Sequence, residues 1–290
     1  MSNPLDGLQF PIYSKTQKVS TSRTGKEIIA EALANVDHQS SVTALTEKNW
    51  RKQYPRYFKS LVEFGICNQI APIQIAQDGL NKAHNVFEFY RDGQKHLLKD
   101  VMSLKTTPLH TIKLKGESDA APEWSVPYKG QQLKGGALLA QIQTWLDAGV
   151  IEPSHAEALI ACLEHPEWFD LSDRTMVLFG AASEAGPLTW LAQWKANIVA
   201  VDLPNSRVWG KILDTIQHGN ATLYAPSVEA LSAETPVSVL KEKLGANLLT
   251  QVPEIAQWLV QNPHQLDLAG FVFWKGEKHS GFPLEWLGLF

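Results

Sequence analysis

The stretch VLFGAASEAGPLTW, residues 177–190, decides how this chain is read. Val177, Leu178 and Phe179 belong to the apolar run TMVLFG that opens at Thr175, short enough to be a buried strand. Gly180 and Gly186 bracket a turn, and PLTWLAQWK beyond it puts Leu188, Leu191 and Ala192 on one helical face. NIVAVDL, 197–203, is a second apolar run, so the pattern predicts a β-α-β unit over 174–202. A glycine lets the backbone bend or approach a ligand where a Cβ would collide, and free amides at a helix start attract an anion. Asp202 follows Gly180 by 22 positions, close to the spacing at which a carboxylate accepts from a ribose diol. Glu184 is the discordant residue: facing inward, its carboxylate would repel a pyrophosphate.

Downstream, ATLYAP (221–226), NLLTQ (247–251) and GFVFWKG (270–276) read as three more strands. VSVLKEKLG (237–245) and PEIAQWLVQ (253–261) read as intervening helices. Strands alternating with helices imply a parallel sheet wrapped on both faces, whose ligands sit beyond the carboxyl ends of the strands. The expected fold class is α/β: a Rossmann-like doubly wound sheet in the C-terminal half, 169–290, after a mainly helical domain, 23–168, and a polar arm, 1–22. In the helical part, TGKEIIAEALANV (24–36) places Ile28, Ile29, Ala32 and Leu33 on one stripe. RYFKSLVEFG (56–65) and APIQIAQDGLNKAHNVFEFYRDG (71–93) continue the helical pattern. HTIKLKG (110–116) and WSVPYKG (124–130) read as a small hairpin around ESDAAPE. Two further helices follow, GALLAQIQTWLDAG (136–149) and SHAEALIACLEH (154–165), the second with Ser154 and Glu157 spaced as a capping box.

Composition limits the function classes. The 290 residues are 44% hydrophobic and 19% charged, a globular balance with ten tryptophans to bury. A net charge of −4 gives no whole-chain attraction to nucleic acid or an anionic membrane, so neither is an expected partner and a small-molecule substrate is. Two cysteines, Cys67 and Cys162, fit a reducing cytoplasm, and no secretory leader or membrane span is visible.

DLSDRTMVLFGAASEAGP (170–187) resembles the cofactor turn of the short-chain dehydrogenase/reductase family, which carries glycines at relative positions 0, 4 and 6 and an acidic residue ending the second strand. Gly180 matches the first glycine, Gly186 the third and Asp202 the acidic residue, while Glu184 departs from the second. The resemblance covers about 35 residues and implies an NAD(P) site made by Gly180, Ala181, Ala182, Ser183, Glu184, Gly186 and Asp202. NAD is the expected cofactor, because Asp202 repels a 2′-phosphate; Arg207 is the one nearby cation that favours NADP. The expected function is an oxidoreductase of unknown substrate. The family's Tyr-x-x-x-Lys is absent, since Tyr224 is the last tyrosine and Val228 stands where the lysine belongs. Only 88 residues follow Asp202, which leaves substrate binding to the N-terminal half. Two alternatives stand beside this reading: an S-adenosylmethionine-dependent methyltransferase, whose ligand carries no phosphate for Glu184 to offend, and a non-catalytic cofactor sensor.

No catalytic residue is assigned. Lys275, Lys278 and His279 follow a predicted strand end, and Tyr54, Tyr57, Lys59, His84 and Tyr90 lie on the N-terminal helices; a surface or core-edge role suits both sets better. His155, Cys162 and His165 share part of a helix face, but a cysteine in ALIACL is packing, and no metal site is expected. Trp190 and Trp194 are expected to pack rather than stack on a base.

Overall fold

The computed structural model describes residues 6–261 and 265–271. Its chain divides into two units. One holds the described residues through Thr107 together with 247–259; the other holds 108–246 and the described residues from Val260 onward. The change of sequence texture near 168 therefore lies inside the second unit, and 108–168 belong with the sheet.

The first unit begins with β1 (Gly7–Gln9), β2 (Ile12–Tyr13) and β3 (Lys18–Val19). The helices α1 (Thr21–Ala34), α2 (His38–Thr46), α3 (Trp50–Gly65) and α4 (Ala71–Val86) follow, then β4 (Glu88–Arg91) and β5 (Gln94–Leu97). Ser20 caps α1 through its side chain, and Ile29, Ala32 and Leu33 of the expected stripe are buried, with Ile28 packed at the edge of a neighbouring cluster. The polar arm is laid onto the body, since Leu8 of β1 is buried and β1 pairs antiparallel with β4. The helix expected over 71–93 ends at Val86. Phe87, Phe89 and Tyr90 are all buried, and Asp92-Gly93 turns the chain at φ 52° and 74° into β5, the geometry of a two-residue hairpin.

The second unit contains β6 (His110–Lys115), β7 (Val126–Tyr128), β8 (Gln131–Leu133), α5 (Gly135–Asp147), α6 (Pro153–Glu164), β9 (Thr175–Phe179) and α7 (Leu188–Leu191). It continues with β10 (Asn197–Val201), α8 (Ser206–Gln217), β11 (Thr222–Ser227) and α9 (Val237–Lys243). The chain then forms α10 (Val252–Val260) and β12 (Leu266–Gly270). Five strands make one sheet in the order β12-β9-β10-β11-β6; the first four run parallel and β6 lies antiparallel on β11. The fold is thus mixed α/β around a mostly parallel sheet.

The core explains the pattern. Leu178, Ile198, Ala200, Leu223 and Ala225 point to one face of the sheet, where they meet Leu188 and Leu191 of α7, Trp209, Ile212, Leu213 and Ile216 of α8, and Leu240 of α9. Residues of the opposite parity, Val177, Phe179, Val199 and Val201, are buried as well. Burial on both sides is why these strands read as continuous apolar runs rather than alternating ones. Trp209 is fully buried and donates its indole N–H to the Leu203 carbonyl at 3.1 Å, so its one polar atom is satisfied.

Several sequence expectations change here. HTIKLKG and WSVPYKG both supply strands, but they do not pair with each other. β6 closes an edge of the parallel sheet, while β7 turns back at Lys129-Gly130, φ 48° and 78°, to pair with β8. NLLTQ is a turn, and the last strand among the described residues lies at Leu266–Gly270, upstream of most of GFVFWKG, with Phe271 donating to the Phe179 carbonyl at 2.7 Å. The rest of that segment falls outside the described residues. Ser154 caps nothing, because Pro153 starts α6 one residue earlier with Glu152 as the N-cap. α8, not anticipated, is strongly amphipathic and capped by Asn205.

Candidate functional site

Strand β9 has neighbours that lead away in opposite directions, β10 on one side and β12 on the other. A crevice forms beyond the carboxyl ends at such a reversal. The turn after β9 occupies this position. Gly180 sits at φ 74°, where a Cβ is strained, and it donates to the Val201 carbonyl at 2.8 Å, tying the turn to the end of β10. Ser183 N–H closes back on the Gly180 carbonyl at 3.0 Å and Gly186 N–H on the Ser183 carbonyl at 3.1 Å. Ala181 is buried. Gly186 serves packing: a Cβ there would lie 3.3 Å from the Ser183 carbonyl and 3.5 Å from the Phe271 ring.

Asp202 is brought to the turn. Its Oδ2 accepts from the Ala182 N–H at 2.9 Å and its Oδ1 from the Leu203 N–H at 2.8 Å. The carboxylate is held above the ordinary range by burial, against the opposing pull of those two amides and of Lys211. Lys211, on α8, donates to the Ala182 carbonyl at 2.9 Å, so both polar groups of the Ala182 backbone are occupied. Behind Asp202, its carbonyl accepts from Ala246 at 3.0 Å. Gly245, at φ 121°, passes so close to Pro204 and the Trp209 indole that an added Cβ would lie 2.6–2.8 Å from them. Lys211, exposed on α8 beside the buried stripe, and the Gly245-Ala246 segment are site residues that motif spacing does not locate.

Glu184 is exposed. Among the described residues, the amides of Ala181, Glu184 and Ala185 meet no intramolecular acceptor. The helix expected after the turn is cut to one turn, Leu188–Leu191. The Ala192 carbonyl accepts from Asn220 at 2.7 Å and Ala221 at 3.2 Å, and Asn220 Oδ1 accepts from the Lys195 amide at 2.7 Å. Those contacts remove the groups that would propagate the helix, and Lys195 turns to φ 54°. With a single turn of aligned peptides, α7 has little dipole to offer an anion.

The other candidates scatter. Tyr57 is buried, stacked on Trp50 and bonded to Glu47; Tyr54 is exposed; Lys59 pairs with Glu63 at 3.3 Å. Tyr90 donates to the buried Glu88 at 2.7 Å, and burial followed by that carboxylate pushes its hydroxyl up to about 12. His84 is half-buried on the last turn of α4. His165 stacks on Trp168 and pairs with Glu167 at 2.8 Å, and no group of three or more metal-ligating side chains occurs among the described residues. Trp194 packs against the sheet core and Phe169, with Trp190 tilted 6.0 Å away. Arg207 is exposed on the first turn of α8. Lys275, Lys278 and His279 lie outside the described residues. No described helix is long and apolar enough to cross a membrane. No family model, curated protein or solved structure matches the chain at significance.

Proposed function

We propose that the sheet unit is a Rossmann-like nucleotide-binding fold that takes a nicotinamide dinucleotide and serves an oxidoreductase. The supporting observation is the meeting of Asp202 with the Gly180 turn at the reversal of strand order. A parallel order of third, second, first and fourth strand is the first part of the doubly wound arrangement, with β9 as its first strand. Each Asp202 oxygen accepts one backbone hydrogen bond and keeps acceptor capacity, which suits a ribose hydroxyl. The unengaged amides of Ala181, Glu184 and Ala185 supply donors for a phosphate, and the exposed Glu184 carboxylate is free to turn into solvent away from one. When bound, the nicotinamide supplies hydride transfer; this chain's residues would hold its adenosine half. The half-buried carboxylate favours NAD over NADP.

A second reading, a methyltransferase using S-adenosylmethionine, draws support from α7. One helical turn offers a weak anion grip, and that ligand has no phosphate. Titration of the purified chain with NADH, NADPH and S-adenosylmethionine, followed by tryptophan fluorescence and calorimetry, separates the readings. Tighter binding of NADH supports the first; binding of S-adenosylmethionine alone installs the second; silence toward all three removes both.

A further inference from the structure

The pairing between β10 and β11 stops early. β10 continues beside β9 as far as Val201 with Phe179, and β11 continues beside β6 as far as Ser227 with His110, but the last pair between β10 and β11 is Val199 with Tyr224. The carboxyl ends of the two strands therefore fork, and the chain itself fills the fork. Gly245 donates to the Pro226 carbonyl at 2.9 Å on one arm, and Ala246 donates to the Asp202 carbonyl at 3.0 Å on the other. Leu244 forms an antiparallel bridge with Ser227, whose hydroxyl donates to the Lys243 carbonyl at 3.2 Å. Leu244, Ala246, Ser227 and Trp209 are all buried. Gly245 passes at φ 121°, where an added Cβ would lie 2.6–2.8 Å from the Trp209 indole nitrogen and from Pro204. A strap that leaves no room for a methyl group leaves none for a heterocycle.

This bears on what a nucleotide site can recognise, and the inference rests on the nucleotide reading above. On that reading the pyrophosphate lies at the Gly180 turn after β9 and the ribose at Asp202 after β10, so the base comes next along the same line, toward the end of β11. There it meets the strap. The donors that border the fork are engaged within the chain: the Leu203 amide on Asp202 Oδ1 at 2.8 Å, the Trp209 indole on the Leu203 carbonyl at 3.1 Å, and the Gly245 and Ala246 amides and the Ser227 hydroxyl as described. A site discriminates strongly where the wrong ligand leaves its polar groups unpaired, and these groups are paired without any ligand. The faces of the bases are alike, so contact with a face does not distinguish them.

We propose that the Leu244–Ala246 strap makes the site blind to the base. Asp202 holds the ribose, the base lies outside the fork, and the ligand class is ribonucleotides and dinucleotides with free ribose hydroxyls rather than adenine nucleotides alone. Gly245 is the specificity-determining residue, because its missing Cβ lets the strap close against Pro204 and Trp209.

The test is displacement of NADH, read by its own fluorescence, from the full chain by AMP, IMP and UMP, with direct titration of reduced nicotinamide hypoxanthine dinucleotide beside it. The three mononucleotides should compete with dissociation constants within about threefold of one another, and the hypoxanthine dinucleotide should bind within about threefold of NADH. 2′-Deoxy-AMP, which lacks the hydroxyl offered to Asp202, should compete at least about tenfold less well than AMP. Amide hydrogen exchange over 243–246 should be slow and unchanged by saturating NADH, because the strap stays in place. A preference of about tenfold or more for AMP over IMP and UMP overturns the proposal and leaves the nucleotide reading standing. Faster exchange over 243–246 on NADH binding does the same, since it would place the base in the fork. Equal competition by 2′-deoxy-AMP also overturns the proposal, because Asp202 would then not hold the ribose. Binding of neither NADH nor any mononucleotide fails the nucleotide reading itself, and the proposal with it.

Discussion

Asp202 carries both the structure of the turn and the proposed ribose contact, and replacing it tests both. Asp202→Ala removes the acceptor of the Ala182 amide at 2.9 Å and of the Leu203 amide at 2.8 Å. At about 1 kcal/mol net for each, the loss is about 2 kcal/mol, and for a chain of this size that lowers the melting temperature by about 4–8 °C. Asp202→Asn keeps one acceptor and the side-chain shape while discarding the charge. Burial raises the folded-state pKa of Asp202 above the ordinary carboxylate value, so the folded chain binds this proton more tightly than the unfolded chain does. The cost of ionising it is absent below the unfolded value, grows as pH rises through the interval between the two pKa values, and is complete above the folded one. Urea melts of wild type and Asp202→Asn should therefore diverge in favour of asparagine as pH rises from about 3.5 to 7, other carboxylates cancelling in the difference. NADH affinity should fall roughly ten- to a hundredfold in Asp202→Ala, the loss of about 1.5–3 kcal/mol expected for a charged hydrogen bond. A stability difference that is flat with pH refutes the electrostatic argument, and unchanged NADH affinity refutes the ribose assignment.

Gly180→Ala forces a Cβ into φ 74° and should cost about 1–2 kcal/mol by urea melting; no measurable loss would mean the turn relaxes freely. Glu184→Gly, which restores the missing turn glycine at an exposed position, should change NADH affinity less than about threefold, and a tightening beyond about tenfold would show the carboxylate faces the ligand. Arg91→Ala breaks a bidentate pair with Glu254, whose side chain is 8% exposed, and should destabilise by about 3 kcal/mol; a loss below about 1 kcal/mol would mean water reaches the stranded carboxylate. Trp209→Ala empties a fully buried site and should cost about 3–5 kcal/mol in thermal or urea unfolding.

What was legible in the sequence was what short-range physics controls. The strands at 175–179 and 197–201 are apolar because both faces are covered, and Gly180 stands where its φ demands it. What escaped depended on partners distant in sequence. PLTWLAQWK has good helical periodicity, yet Asn220 and Ala221, some 28 residues on, take the carbonyl that the helix needed. HTIKLKG reads correctly as a strand, but its partner is β11, more than 100 residues away, rather than the segment beside it. The helical reading of NVFEFY failed because aromatic residues serve either period, and pairing with β1 and β5 decided between them.

The same limit bears on the site. A motif assigns Asp202 to a ligand by counting positions, but counting cannot reveal that the Ala182 amide already engages one of its oxygens. That bond makes the carboxylate a brace for the turn, beside the ribose-accepting role proposed for it. On the proposed reading a ribose would find part of the acceptor capacity of Asp202 already spent, but would also find its desolvation partly met and its geometry fixed in advance, which lowers the cost of the contact relative to a carboxylate waiting in water. Pre-set geometry then favours the ribose contact over the pyrophosphate contact, which one-turn α7 supports weakly. The expectation is a cofactor held chiefly by its adenosine: adenosine or AMP should compete with NADH at concentrations within about tenfold of its own dissociation constant, while pyrophosphate should not compete. Competition by pyrophosphate and none by adenosine would reverse the order of the two contacts and return the grip to the turn amides.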